Sequence, residues 1–238
     1  MDYRNPTLME IVADLYLEPG SLPEKSLMAI ARELAEHDLD DLEFAQGVVV
    51  ESQDQALVPK IVPRIRCWDS ERIRLVQLSP DAVSVNLIGE YPGWEKFREH
   101  IRISRASIES ALKRDLQLIR VELQTIDKWK VDSAGFTIGQ HLNCGGTFIP
   151  QWYSSVSVSS DINLGQGFHN KDGFNKKVNV QVRTSEADAQ FQIVIVLGVS
   201  AQERDFNTMM EQLHSESVQF FEEIITDRVR DKIMGGQK

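Results

Sequence analysis

Residues 61–88 read IVPRIRCWDSERIRLVQLSPDAVSVNLI, and this stretch decides the fold. Three apolar runs, Ile61–Cys67, Arg72–Leu78 and Ala82–Ile88, are split by Asp69-Ser70-Glu71 and by Ser79-Pro80. Breaks this short leave no room for a crossover, so they predict hairpins and antiparallel pairing. Tyr91-Pro92-Gly93 closes the meander, and a long helix is expected from Trp94. Trp94, Phe97, Ile101, Ile108 and Leu112 form its apolar face, with Ser104 and Ala111 filling the stripe. Arg105, Glu109 and Lys113 are spaced for side-chain pairing on another face.

Upstream, Ile11, Ala13, Leu15 and Leu17 alternate with Val12, Asp14, Tyr16 and Glu18, a strand ended by Pro19-Gly20. Pro23 then opens a helix whose stripe is Leu27, Ile30, Ala31, Leu34 and Ala35. The acidic segment Asp38–Lys60 reads as a connector, with a turn of helix at Asp40–Ala45. Downstream, a strand is expected at Leu118–Ile126 and a short helical turn at Thr137–Leu142. Three more strands follow at Trp152–Ser159, Val178–Arg183 and Gln190–Val199. A last helix runs from near Gln202 through Phe206, Met210, Leu213, Ser217, Phe220 and Ile224, recapped at Thr226-Asp227.

Both parts of the chain thus read strand, helix, three strands, long helix, with a 108-residue offset between corresponding starts. The expected class is α+β with a largely antiparallel sheet. It would be built as two similar halves, residues 1–115 and 116–238, or as one continuous domain.

Composition bounds the function. The 238 residues are 42% hydrophobic and 26% charged, which fits a globular chain and excludes wholesale disorder. A net charge of −10 argues against diffuse coating of nucleic acid. Two cysteines make no disulfide framework, and no Cys/His spacing suggests zinc. Neither a membrane-spanning run nor a signal-peptide pattern is recognisable, so a cytoplasmic location without membrane contact is expected.

The acidic chain carries one basic pattern. With a three-residue loop, partner numbers in the first hairpin sum to 140, so Arg66 faces Arg74 and Trp68 faces Arg72. Arg64, Arg66, Arg72 and Arg74 then share one face, opposite Ile65, Cys67, Ile73 and Leu75. Like charges across a ladder are unfavourable unless something neutralises them. Either a nucleotide or nucleic acid binds there, or Asp69, Glu71 or a neighbouring carboxylate does the neutralising.

Other features carry less. The glycine-rich segment Asp161–Lys177 is expected to be a loop or hairpin tip, because Gly165-Gln166-Gly167 leads into a strand rather than a phosphate-binding helix. Its Asp161, Asn163 and Asp172 have calcium-loop spacing, but Gln166 stands where that loop needs glycine. His37, His100, His141, His169 and His214 are scattered. Cys144 with His141 lacks a third, orienting group. Ser154, Ser155, Ser157, Ser159 and Ser160 form no nucleophile elbow, and Asp40-Asp41 and Glu222-Glu223 read as solvated faces.

Asn5-Pro6, the run Arg74-Leu-Val-Gln-Leu-Ser-Pro-Asp-Ala-Val-Ser-Val-Asn86, and Tyr91-Pro-Gly-Trp94 resemble a sporadically distributed family of uncharacterised bacterial proteins of similar length. Leu213-His214, Phe220-Phe221 and Ile225-Thr226-Asp227 extend the resemblance to the end. It implies a bacterial, intracellular, accessory or defence-linked protein, and no activity, cofactor or catalytic residue. The leading expectation is a non-enzymatic binding or interaction protein, self-associating or in complex with a partner protein, with no metal or cofactor. The alternative is a nucleotide- or nucleic-acid-binding protein using Arg64, Arg66, Arg72 and Arg74. An enzyme with a small-molecule pocket between the halves is the weaker third.

Overall fold

The computed structural model describes residues 7–53, 56–132, 137–146, 149–155, 162–169, 174–184, 188–201 and 204–235. The fold is α+β. Its strands and helices are β1 (Leu8–Leu17), α1 (Glu24–Ala35), β2 (Asp41–Gln53), β3 (Ala56–Trp68), β4 (Arg74–Ser79), β5 (Ala82–Ile88), α2 (Trp94–Leu112), β6 (Leu118–Asp132), β7 (Ile162–His169), β8 (Phe174–Thr184), β9 (Asp188–Ser200) and α3 (Phe206–Ile224). The chain divides into two compact units. One comprises Val12–Ile88 and Pro92–Val121, the other Met1–Ile11, Gly89–Tyr91 and Glu122–Lys238, so β1 and β6 contribute residues to both.

In the amino-terminal unit the strand order is β2-β3-β4-β5-β1, and β2–β3, β3–β4 and β4–β5 pair antiparallel. The meander over residues 61–88 is as the sequence predicts. Alternation buries Leu15 and Leu17 of β1 and Val83, Val85 and Leu87 of β5. Helix α1 buries Leu27, Ile30, Ala31 and Leu34, and it packs on α2. Leu27, Ile30 and Leu34 are each at most 2% exposed, a stabilisation of about 1.5–3 kcal/mol apiece. Helix α2 buries Phe97, Ile101 and Ile108, and also Ser104 and Ser107. The two hydroxyls donate back to the His100 and Ile103 carbonyls at 2.7 and 3.0 Å, so burial leaves neither unsatisfied. The expected Arg105–Glu109 pair forms at 2.9 Å, and the same Glu109 oxygen accepts the Leu116 N–H at 3.0 Å, fixing the chain beyond the helix.

In the carboxy-terminal unit the order is β6-β9-β8-β7, with β7–β8 and β8–β9 antiparallel. Asp205 caps α3, accepting the Thr208 N–H at 2.8 Å and its hydroxyl at 2.9 Å, worth about 1 kcal/mol. The helix buries Met209, Met210, Leu213, Ser217, Phe220, Phe221 and Ile224. Trp129 of β6 stacks on Phe191 of β9 with centroids 4.8 Å apart. Beyond α3 the backbone is seized by the turn around the 3-10 helix Ile138–Gln140. Asn143 donates from its side chain to the Glu223 and Ile225 carbonyls at 3.0 and 2.6 Å, and from its N–H to Ile224 at 2.8 Å. Thr226 donates its N–H to His141 and its hydroxyl to Gln140, at 3.1 and 2.8 Å.

Four expectations are corrected. The segment Asp38–Lys60 is no connector: Asp41–Gln53 is strand β2, paired over its whole length with Ala56–Trp68, and no helical turn forms at Asp40–Ala45. The segment Asp161–Lys177 is no loop: its described part is β7 and the start of β8, antiparallel arms paired from Ile162↔Val182 to His169↔Asn175 as the hairpin alternative requires, and Asp161 and residues 170–173 lie outside the described residues. Gln151–Ser155 is a 3-10 helix where a strand was expected at Trp152–Ser159, whose residues 156–159 lie outside the described residues. The last helix begins at Phe206 rather than near Gln202, because its Asp205 cap fixes the start. Among the described residues, no helix is long and apolar enough to cross a membrane.

Candidate functional site

The β3–β4 hairpin does not have the register that its sequence suggests. Arg66 faces Gln77 and Trp68 faces Leu75, so partner numbers sum to 143. The connection is five residues, Asp69 to Ile73, because Asp69 organises it. One carboxylate oxygen accepts the N–H groups of Ile73 and Arg74 at 2.8 and 3.0 Å, and the other accepts Arg74 Nε at 3.1 Å. Arg72 takes the left-handed conformation at φ +59°, which closes the turn.

The odd sum separates the arginines. Arg64 and Arg66 share a face with Gln77, whereas Arg74 lies on the face of Ile65 and Cys67, and Arg72 belongs to the turn. The single four-arginine face is therefore corrected to two sites. On one, Glu43 of β2 lies across from Arg66. Its carboxylate accepts Arg72 Nη1 at 2.6 Å and Trp68 Nε1 at 3.1 Å, with Arg66 Nη1 at 3.9 Å. Arg72 Nη2 reaches Asp41 at 2.6 Å, and its guanidinium lies over the Trp68 ring at 5.0 Å. Hydrogen bonds from Arg72 and Trp68 hold the Glu43 carboxyl below its ordinary range. Arg66 Nε also donates to Gln77 at 3.1 Å. On the other, Arg74 is held by Asp69 beside buried His100, whose burial, reinforced by the Arg74 charge, pushes it down to about 4.

Arg64 differs. Its Nε is buried without a hydrogen-bond partner among the described residues, and its guanidinium lies along the β2 backbone at Gly47. A Cβ at position 47 would stand 2.6 Å from Arg64 Cζ, so glycine is what admits this approach. Beside this network, β2 ends the strand order of its unit. Phe44 is 73% exposed and Ile61 65% exposed. The register places both on the face that buries Ile65 and Cys67, so the apolar surface continues outward past the core.

A second candidate escaped the sequence reading. On the carboxy-terminal unit a cavity of about 400 Å³ is lined by Met9, Lys128, Lys130, Gln181, Arg183, Gln190 and Gln192, with Trp129 and Phe191. Register sets Gln181 opposite Gln192 and Arg183 opposite Gln190. The alternation Asp127-Lys128-Trp129-Lys130 was the available signal, since it turns both lysines away from buried Trp129.

The nucleophile candidates are in poor electrostatic settings. Burial pushes the Cys144 thiol up, and burial with the Arg228 charge pushes His141 down to about 4. Burial likewise raises Cys67 to about 12. Among the described residues, no group of three or more His, Cys, Asp or Glu is placed to hold a metal ion. No protein-family model matches the chain, and no curated protein matches it.

Proposed function

We propose that the protein is a non-enzymatic binding protein that works by self-association, with β2 of one copy pairing against β2 of a second. The observation that carries this reading is the joint exposure of Phe44 and Ile61 on the core-facing side of the β2–β3 hairpin, at the end of a strand order. Among the described residues no strand pairs with the outer edge of β2, so its 13 residues offer backbone groups to a partner strand. A two-fold β2–β2 contact is self-complementary and sets the two apolar shoulders side by side. Two of the β2 carboxylates, Asp41 and Glu43, do not oppose it, since both are engaged by Arg72 within their own chain. Such a protein fits the bacterial accessory role that the sequence resemblance implies. Related halves would suit such a scaffold: the ten residues of β1 and the first ten of β6 share one burial sequence, and each part carries a 19-residue helix after its strands.

Light scattering on the purified chain across micromolar concentrations tests the reading. A dimer that reverts to monomer in Phe44→Glu and Ile61→Glu is expected. A wild-type monomer at every concentration, or a dimer indifferent to both substitutions, would overturn it.

The alternative, a nucleotide or nucleic acid on the arginine hairpin, draws its support from Arg64 Nε, buried without a partner among the described residues. It requires salt-sensitive binding that is lost when Arg64, Arg66, Arg72 and Arg74 are replaced by glutamine. No salt-sensitive binding in the wild type ends it.

A further inference from the structure

We propose that the cavity on β6, β8 and β9 binds a small organic phosphate, a site independent of the β2 edge. Its floor is a grid across three neighbouring strands. Lys128 and Lys130 come from β6, Gln190 and Gln192 from β9, and Gln181 and Arg183 from β8, with β9 in the middle. Cations therefore flank a central row of primary amides. Adjacent strands lie about 4.8 Å apart, so lysine and arginine side chains from both flanks reach an anion set over the middle strand.

Charge selects the ligand. Three cations line the cavity, and among the described residues the one carboxylate paired to them is Asp188, 3.6 Å from Lys130. Among the described residues, Lys128 and Arg183 have no ion pair. The surplus of two positive charges matches a phosphate monoester, which carries about −1.5 to −2 at neutral pH. Arginine binds such a group through two parallel N–H donors, and lysine binds it as a point charge. The glutamines supply donors and acceptors for the uncharged part of the molecule. The cavity volume falls in the range of small-molecule sites, about 300–1,000 Å³, and exceeds what one inorganic ion needs. On a chain of net charge −10, a hollow whose described lining is cationic is the reverse of the average surface.

Isothermal titration of the full chain at low salt, with adenosine monophosphate and phosphoserine as probes, tests this. At least one probe should bind saturably, adenosine should not, and binding should weaken as salt rises. Lys128→Gln and Arg183→Gln should each weaken it about 10-fold, whereas Lys25→Gln, on α1, should not. Both replaced side chains are exposed, and an unchanged thermal melt confirms that the variants fold. Lys128→Arg should restore binding. The proposal is overturned if neither probe binds, if inorganic phosphate binds as tightly as the organic probes, or if the two glutamine variants bind like wild type.

Discussion

Replacing Asp69 by alanine removes one carboxylate from the β3–β4 turn and leaves three donors without their acceptor. Two are the backbone N–H groups of Ile73 and Arg74, at 2.8 and 3.0 Å, and the third is Arg74 Nε, at 3.1 Å. Asp69 is only 8% exposed, so water compensates these losses incompletely. Taking about 1 kcal/mol net for each turn N–H and about 1.5–3 for the charged Arg74 donor gives a loss of about 3.5–5 kcal/mol for Asp69→Ala. Asp69→Asn keeps an acceptor for the turn and should lose about half as much. The effect should depend on pH. Burial raises the Asp69 carboxyl, but the hydrogen bonds from Arg74 and Ile73 and the Arg74 charge outweigh it, so the folded group lies below its ordinary value of 3.8. Its stabilisation is then present above the unfolded value and is lost as pH falls through the folded one. Urea unfolding of wild type and Asp69→Ala, followed by circular dichroism, should show the full gap at pH 7 and a shrinking gap in acid. A gap below about 1 kcal/mol at pH 7, or one equally large in acid, would refute the claim that this carboxylate sets the register.

Arg72→Ala should barely move the midpoint in the same assay, because its bonds to Glu43 and Asp41 are at a side chain 46% exposed, where water screens them. Asp127 is buried, accepts the Thr7 hydroxyl at 2.8 Å, and is raised by burial to about 7. A raised carboxyl favours the fold at low pH and penalises it as pH climbs toward the folded value, so Asp127→Asn should stabilise by a few kcal/mol at pH 8 and by little at pH 4. Thermal melts at the two pH values check this. Gly198→Ala would set a Cβ 2.9 Å from Glu122 Cγ and should lower stability by about 1–3 kcal/mol on denaturant unfolding.

The strands that the sequence concealed are β2 and β7, and each ends the strand order of its unit. A terminal strand is paired on one side only, so burial does not force a strict alternation on it. Acidic Asp41 and Glu43 disguise β2, and Gly165 and Gly167 disguise β7. The central strands β4, β5 and β9 are held on both sides and show their period plainly. The hairpin register was not legible for a different reason: it depends on a side chain, Asp69, capping backbone four and five residues further on, and on a left-handed Arg72. Residue types told that arginines needed neutralising. They did not tell that Glu43 would be the partner, because β2 itself went unseen. The cavity on β6, β8 and β9 needed the Gln181↔Gln192 and Arg183↔Gln190 register, which no local pattern supplies.

The clasp between Asn143 and the end of α3 links segments some eighty positions apart through side-chain and backbone donors. Helix ends normally fray, exchanging their amide hydrogens well before the interior does. Here the last carbonyls of α3 are satisfied from outside the helix, so its final turn should exchange as slowly as its middle. Proteolytic nicking in the 137–143 turn would then be felt first as loosening at residues 221–226. The two segments should behave as one cooperative unit, protected together and lost together.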